Sequence, residues 1–231
     1  MIQISLCITT YNRADLTLDS FKRVYDDERI GEIIIVDDAS DLEYYEPLKL
    51  VCDGLPKVKL YRNEININCY KNKIKAISLA SFDYCLIFDS DNILDTDYLD
   101  ALYSVEWGEK SIYAPVFAKP TFNYEAFSGL TITKENVAMY MDKPMFSTAL
   151  NTSNYFFNKK EMLETIDKTI EPNTSEAIYT NYCWLKKGNS IYFVPNMTYS
   201  HLIHSGSHYQ NNCHKDPQFY TTIENNLRNM K

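Results

Sequence analysis

Glycine is scarce, six in 231 residues, and none falls in Thr10-Tyr11-Asn12-Arg13, the loop after the first apolar segment. That argues against a glycine-rich triphosphate cradle there, since such a loop brings successive backbone N–H groups onto the phosphates. The six cysteines (Cys7, Cys52, Cys69, Cys85, Cys183 and Cys213) form no C-x-x-C pair. Scattered in a chain of this size, they read as reduced thiols rather than a disulfide framework or a zinc site. No apolar run approaches the roughly 20 residues that span a bilayer. Positive charge is in deficit, with 23 Lys and Arg against 31 Asp and Glu and a formal net charge of −8. Nucleic acid is therefore not the expected partner, because its phosphates need a net basic surface. No basic cluster reads as a membrane anchor. Residues Met1 to Cys7 lack a basic n-region and read as a strand, not a secretory leader. The expected location is cytoplasmic, with peripheral membrane contact left open. Without a leader, the sequons at Asn151, Asn173 and Asn196 are read as incidental.

What remains is ample material for a core. Hydrophobic residues make up 45% of the chain and charged residues 23%, as in globular proteins. Apolar runs over Ile2–Thr9, Glu32–Val36, Val58–Arg62 and Tyr84–Phe88 read as strands. Helical spacing falls between them, around Leu16–Tyr25, Glu43–Val51, Tyr70–Ser81 and Thr96–Val105. Strands alternating with helices to about residue 115 imply βαβ units and a parallel sheet. Beyond Pro120 the pattern loosens. Strands are expected near Leu130–Thr133, Tyr155–Phe157 and Ile191–Val194. Helices are expected near Lys134–Met141, Lys160–Ile166, Ser175–Lys187 and Pro217–Asn229. No repeat or long linker divides the chain, so a single domain over 1–231 is expected, with halves of about 1–115 and 116–231.

The polar turns after Thr9, Val36 and Phe88 all follow strands, so a parallel sheet gathers them on one edge, where ligands bind. The most pointed is Phe88-Asp89-Ser90-Asp91-Asn92, in which two carboxylates stand one residue apart. Such a pair repels itself unless a cation intervenes. Mg²⁺ or Mn²⁺ suits oxygen ligands and is often shared with substrate phosphates. A plain turn that caps the next helix accounts for the same residues. Asp37 and Asp38 carry the same ambiguity between a turn and a ligand pocket. His201, His204 and His208 cluster in a segment whose Ser-Gly-Ser favours a loop. Trp107 and Trp184 are either sugar-stacking platforms or ordinary packing.

The order Thr9-Thr10-Tyr11-Asn12-Arg13, Val36-Asp37-Asp38-Ala39-Ser40 and Phe88-Asp89-Ser90-Asp91-Asn92 resembles glycosyltransferase family two. The similarity runs on through Asn154 to Lys160, Ser175-Glu176, Val194-Pro195-Asn196 and His201. The resemblance implies an α/β fold of GT-A type, a Rossmann-like, mostly parallel sheet flanked by helices with a smaller acceptor-side region. It implies a nucleotide-diphosphate sugar donor, uridine by family habit, and a glycan, protein or small-molecule hydroxyl as acceptor. Nucleotide-sugar binding falls to Thr9, Tyr11, Arg13, Asp38, Lys73, Asp89 and Ser90. Metal binding by Mn²⁺ or Mg²⁺ falls to Asp89, Asp91 and His201, with His204 as the alternative histidine. Glu176 is the implied general base of an inverting displacement. Ala177 departs from the family, whose second acid in that pair commonly takes the proton, and Ala76 stands where glycine is usual. Two alternatives stay open: a nucleotidyltransferase of similar fold, and a non-catalytic nucleotide-sugar-binding module that lost its base at Ala177.

Overall fold

The computed structural model describes residues 1–172, 174–202 and 217–230. Four strands, β1 (Ile4–Thr10), β2 (Ile30–Asp37), β3 (Val58–Arg62) and β4 (Tyr84–Asp89), run parallel in the order β3-β2-β1-β4. Each of the first three crossovers carries a helix: α1 (Ala14–Phe21), α2 (Leu42–Cys52) and α3 (Asn68–Leu79). After β4 come a short strand, β5 (Asn92–Ile93), and α4 (Thr96–Tyr103). The large sheet is completed from later sequence. Next to β4 lies β10 (Phe156–Asn158), antiparallel, followed by β6 (Ser111–Ala114), β11 (Ser190–Phe193) and β9 (Thr131–Ile132). Strands from both sides of residue 115 thus share one eight-stranded sheet.

Side chains alternate across this sheet, as the two-residue strand period requires. Ile4, Leu6 and Ile8 of β1 join Phe21, Leu48 and Leu99 in one core cluster. Cys7 of the same strand points the other way, into a cluster with Ala76, Ile77, Phe157 and Trp184. The second cluster is covered by α3, α7 (Lys159–Thr165), α8 (Glu176–Lys186) and α9 (Pro217–Arg228). Both faces are therefore filled, which explains why β2 and β4 read as continuous apolar runs.

A second, four-stranded sheet has the order β5, β12 (Thr198–His201), β7 (Phe117–Lys119) and β8 (Phe122–Asn123). The sequence reading does not foresee it. Its strands are two to four residues long, too short to show an alternation. His201, expected in a loop, is the last residue of β12 and pairs with Asn92 of β5. The middle segment also differs in detail. The expected strand near 130–133 shrinks to β9, the expected helix near 134–141 to α5 (Val137–Tyr140), and an unforeseen α6 spans Phe146–Leu150. Cys7, Cys52, Cys69, Cys85 and Cys183 are free thiols, as expected; Cys213 lies outside the described residues. Among the described residues, no helix is long and apolar enough to cross a membrane.

Candidate functional site

A cleft of about 560 Å³ opens over the carboxyl edge of β1 and β4. All the site residues named from the sequence line it: Thr9, Tyr11, Arg13, Asp38, Lys73, Asp89, Ser90, Asp91, Glu176 and His201. His204, the alternative histidine, lies outside the described residues.

The two acids at the end of β2 divide the two roles open to them. Asp37 makes the turn: its carboxylate accepts from the Ser40 hydroxyl and from the Ser40 backbone N–H at 3.0 Å. Burial pushes its carboxyl up from the usual range, against those hydrogen bonds. Asp38 lines the cleft. Its Oδ1 accepts from Asn63 Nδ2 at 2.7 Å and from the Ile67 backbone N–H at 2.9 Å. Asn63 in turn donates to Asn72 at 2.9 Å, and Asn72 to the Val36 carbonyl at 3.0 Å. Asp38 is therefore fixed in place.

Among the described residues, asparagine takes four of the six left-handed backbone positions not held by glycine. Asn12 (φ 52°), Asn68 (φ 70°) and Asn154 (φ 72°) all adopt that conformation close to the cleft, and asparagine tolerates it better than most residues. Asn12 also ties two loops together, donating to Asp41 Oδ2 at 3.0 Å and accepting from the Asp41 N–H at 2.8 Å.

Asp89, the last residue of β4, and Asp91 beyond it are each paired with a cation of the chain itself. Arg13 Nη1 donates to Asp91 Oδ2 at 2.6 Å, with both side chains 17% exposed. Lys73 Nζ lies 2.9 Å from Asp89 Oδ1. The same ammonium reaches Glu176 Oε1 at 3.2 Å and Ser153 Oγ at 2.7 Å. Burial works against this charge, but the carboxylates of Asp89 and Glu176 outweigh it and hold Lys73 well above the ordinary lysine range. Lys73 thus stays an ammonium at any neutral pH and bridges a carboxylate at the tip of β4 to one at the start of α8. Asn154, which sequence reasoning did not name as a site residue, clamps Asp89. It accepts from the Asp89 N–H at 2.7 Å and donates to Asp89 Oδ2 at 3.2 Å.

Position 177 faces away from the cleft. Ala177 is buried and lines a small cavity beneath it, where Ile74, Ile77, Phe157 and Met162 meet Lys73, Glu176 and Thr180. Glu176 is the acid on the first turn of α8 that lines the cleft. The tryptophans resolve to packing: Trp184 is fully buried, Trp107 packs on Tyr84, Tyr103 and Phe156, and neither lines the cleft.

Among the described residues, no three His, Cys, Asp or Glu side chains converge as a ready-made metal cage. A hard cation shared with substrate phosphates needs only one or two protein carboxylates, and Asp89 and Asp91 fit that need. Beside them, Asn92 Oδ1 is a buried acceptor with no hydrogen-bond partner. Opposite Asn92 across the β5–β12 pairing stands His201, its Nδ1 3.1 Å from Thr121 Oγ1.

A mostly parallel sheet whose central strand ends in paired acids beneath a cleft is the architecture of the GT-A glycosyltransferases, and the likeness extends to solved structures. The crystal structure of S. aureus TarS 1-349 in complex with UDP-GlcNAc superposes with a TM-score of 0.72 at 15% identity, covering 96% of this chain and 64% of that one. TarS 1-349 alone gives 0.66 at 14% identity over 86% of this chain and 59% of that one. The profile of glycosyl transferase family 2 matches residues 5–167, and the chain belongs to that family. A curated relative, the abequosyltransferase RfbV of Salmonella typhimurium (strain LT2), is 32% identical over 114 residues, 48% of this chain. The aligned stretch spans 34% of that relative's length.

Proposed function

We propose that the protein transfers a sugar from a nucleotide-diphosphate donor, uridine-linked, to an acceptor hydroxyl with inversion at the anomeric carbon. The observation that carries this reading is the Lys73 bridge. One part-buried ammonium contacts Asp89, beside which the donor diphosphate sits in this reading, and Glu176, the carboxylate facing the acceptor. The TarS structure in complex with UDP-GlcNAc supports a uridine donor, and the abequosyltransferase relative supports a sugar as the transferred group.

In this mechanism Thr9, Tyr11 and Asp38 hold the nucleoside end, Tyr11 offering its half-exposed ring for stacking. Ser90 lines the path to the phosphates, and Arg13 and Lys73 set positive charge against the leaving diphosphate. Asp91 and Asp89, with His201 nearby, would hold Mn²⁺ or Mg²⁺; when bound, the cation supplies further charge compensation to the diphosphate oxygens. Glu176 takes the proton from the acceptor hydroxyl as its oxygen bonds to the anomeric carbon. The bond from that carbon to the phosphate oxygen breaks at the same time, and the diphosphate leaves with the electron pair.

The test is UDP release and product formation with a panel of UDP-sugars and Mn²⁺. Asp91→Ala is expected to lower kcat/KM by at least about 100-fold, and Glu176→Gln to lower kcat by about 10²–10⁴-fold. Full turnover by Asp91→Ala would remove the acid pair from the mechanism. Pyrophosphate released from a nucleoside triphosphate would revive the nucleotidyltransferase reading. Tight UDP-sugar binding without turnover for any acceptor would favour the non-catalytic module.

A further inference from the structure

We propose that Lys75, which does not line the cleft, is a positioning residue for the nucleobase: through Asn63 it locks the Asp38 carboxylate so that the site selects uracil over cytosine. This rests on the nucleotide-donor reading above, and it names the part of the chain that sets the base. Lys75 and Asn72 stand three residues apart on α3 and so share one face of it. Asn63, the residue after β3, contacts both.

The donors and acceptors of this cluster admit one arrangement. Lys75 Nζ donates to Asn63 Oδ1 at 2.7 Å. An ammonium has no acceptor, so Asn63 must turn its carbonyl oxygen to Lys75 and its NH₂ the other way. That NH₂ donates to Asp38 Oδ1 at 2.7 Å and to Asn72 Oδ1 at 2.9 Å. Asn72 has its own NH₂ left for the Val36 carbonyl, at 3.0 Å. Asp38 Oδ1 takes a second donor, the Ile67 N–H at 2.9 Å. Asp38, Asn63 and Asn72 are each 5% exposed or less, so an amide that turned over would leave buried polar atoms facing their like. The backbone is tied as well. The Asp38 N–H donates to the Thr10 carbonyl and the Asn63 N–H to the Asp37 carbonyl, both at 2.9 Å.

Because Oδ1 is taken twice, Oδ2 is the oxygen that Asp38 offers to a ligand in the cleft it lines. A carboxylate accepts and does not donate. Uracil brings it a ring N–H at N3. Cytosine carries a lone pair at that position, which the carboxylate repels, so the preference is partly a clash built against the wrong base. Lys75 fixes which way round the Asn63 amide sits. Without that ammonium the amide is free to turn over, and Asp38 loses the shorter of its two bonds. The same lock dictates what Asp38→Asn would do. The new amide oxygen must take the place of Oδ1, beneath two N–H donors, and its NH₂ then faces the cleft, where it matches cytosine N3 instead.

The experiment titrates the whole chain with UDP and with CDP in the presence of Mn²⁺ by isothermal calorimetry. The two nucleotides share ribose and diphosphate, so the ratio of their Kd values isolates the base. Wild type is expected to bind UDP at least about tenfold tighter than CDP, the effect of roughly one buried hydrogen bond made or refused. Lys75→Met is expected to bring that ratio down to about threefold or less, chiefly by weakening UDP. Asp38→Asn is expected to reverse it, and adding Lys75→Met to Asp38→Asn to bring it back toward one. Equal binding of UDP and CDP by wild type overturns the proposal while leaving glycosyl transfer intact. So does Lys75→Met if it weakens both nucleotides equally, which is the mark of a purely structural tie. Asp38→Asn that still prefers UDP overturns it too. Should thermal unfolding show that Lys75→Met does not fold, Asp38→Asn, which keeps every bond of the cluster, decides by itself. Wild type that binds neither nucleotide sinks the nucleotide-donor reading, and this proposal with it.

Discussion

Arg13 and Lys73 place positive charge on Asp91 and Asp89, where a bound cation would otherwise supply it. Because the Arg13–Asp91 pair is only 17% exposed on each side, it is screened less than a surface pair. A divalent ion approaching Asp91 must compete with the guanidinium. Arg13→Gln removes that competitor, and about 1 kcal/mol of ion-pair energy corresponds to roughly fivefold in affinity. Mn²⁺ binding without nucleotide, followed by electron paramagnetic resonance, is therefore expected to tighten about fivefold in Arg13→Gln, while UDP binding in EDTA weakens. Unchanged Mn²⁺ affinity would show that Arg13 and the ion do not share Asp91. Asp89, Asp91 and Asp38 were legible in the sequence because each ends an apolar run. Asn154 was not. Its hold on Asp89 depends on a left-handed backbone and on β10 lying beside β4, and no short spacing encodes either.

At the scale of elements, β2 anchors the edge opposite the cleft through Glu32. This buried carboxylate accepts from Ser5 Oγ at 2.6 Å, Lys59 Nζ at 2.6 Å and Ser81 Oγ at 3.0 Å. Burial alone would raise its pKa, but the hydrogen bonds from Lys59, Ser5 and Ser81 prevail and hold it below the usual value of 4.5. The folded-state pKa thus lies below the unfolded one, and the unfolded chain binds more protons between them. The stabilisation is complete above about pH 4.5 and is lost as pH falls through the lower folded value. Glu32→Gln is expected to cost about 2 kcal/mol at pH 7. In thermal unfolding from pH 7 to pH 3 its deficit against wild type should shrink below pH 4.5; a constant deficit would place the effect in packing instead. The long elements were legible because they repeat a pattern: β3 falls on Val58–Arg62 as expected, and α8 within one residue at each end. The second sheet was not, because strands of two to four residues are specified by their partners rather than by their own alternation.

At the scale of the whole molecule, the cleft takes residues from β1, from the tip of β4, from α8 and from the small sheet. A ligand filling it contacts elements contributed by both ends of the sequence, so occupancy stabilises the assembled fold. At one hundred times Kd, UDP with Mn²⁺ is expected to add about 2.7 kcal/mol. For a domain of this size that raises Tm by roughly 5–10 °C. Differential scanning fluorimetry checks it: no shift with UDP and Mn²⁺ at saturating levels would argue against a nucleotide in this cleft.

The chain leaves the large sheet at Asp89 and enters the small one at Asn92 through Ser90 and Asp91, the shortest of its crossings together with that from β6 to β7. The acids of the site thus stand at one of the joints between the sheets, and tilting one sheet against the other changes the distance between their carboxylates. Electrostatics and posture are coupled at that seam. A packing change in the β7–β8 hairpin, whose Phe122 meets His201, would retune how strongly the seam attracts positive charge, and an ion seated there would brace the two sheets against each other.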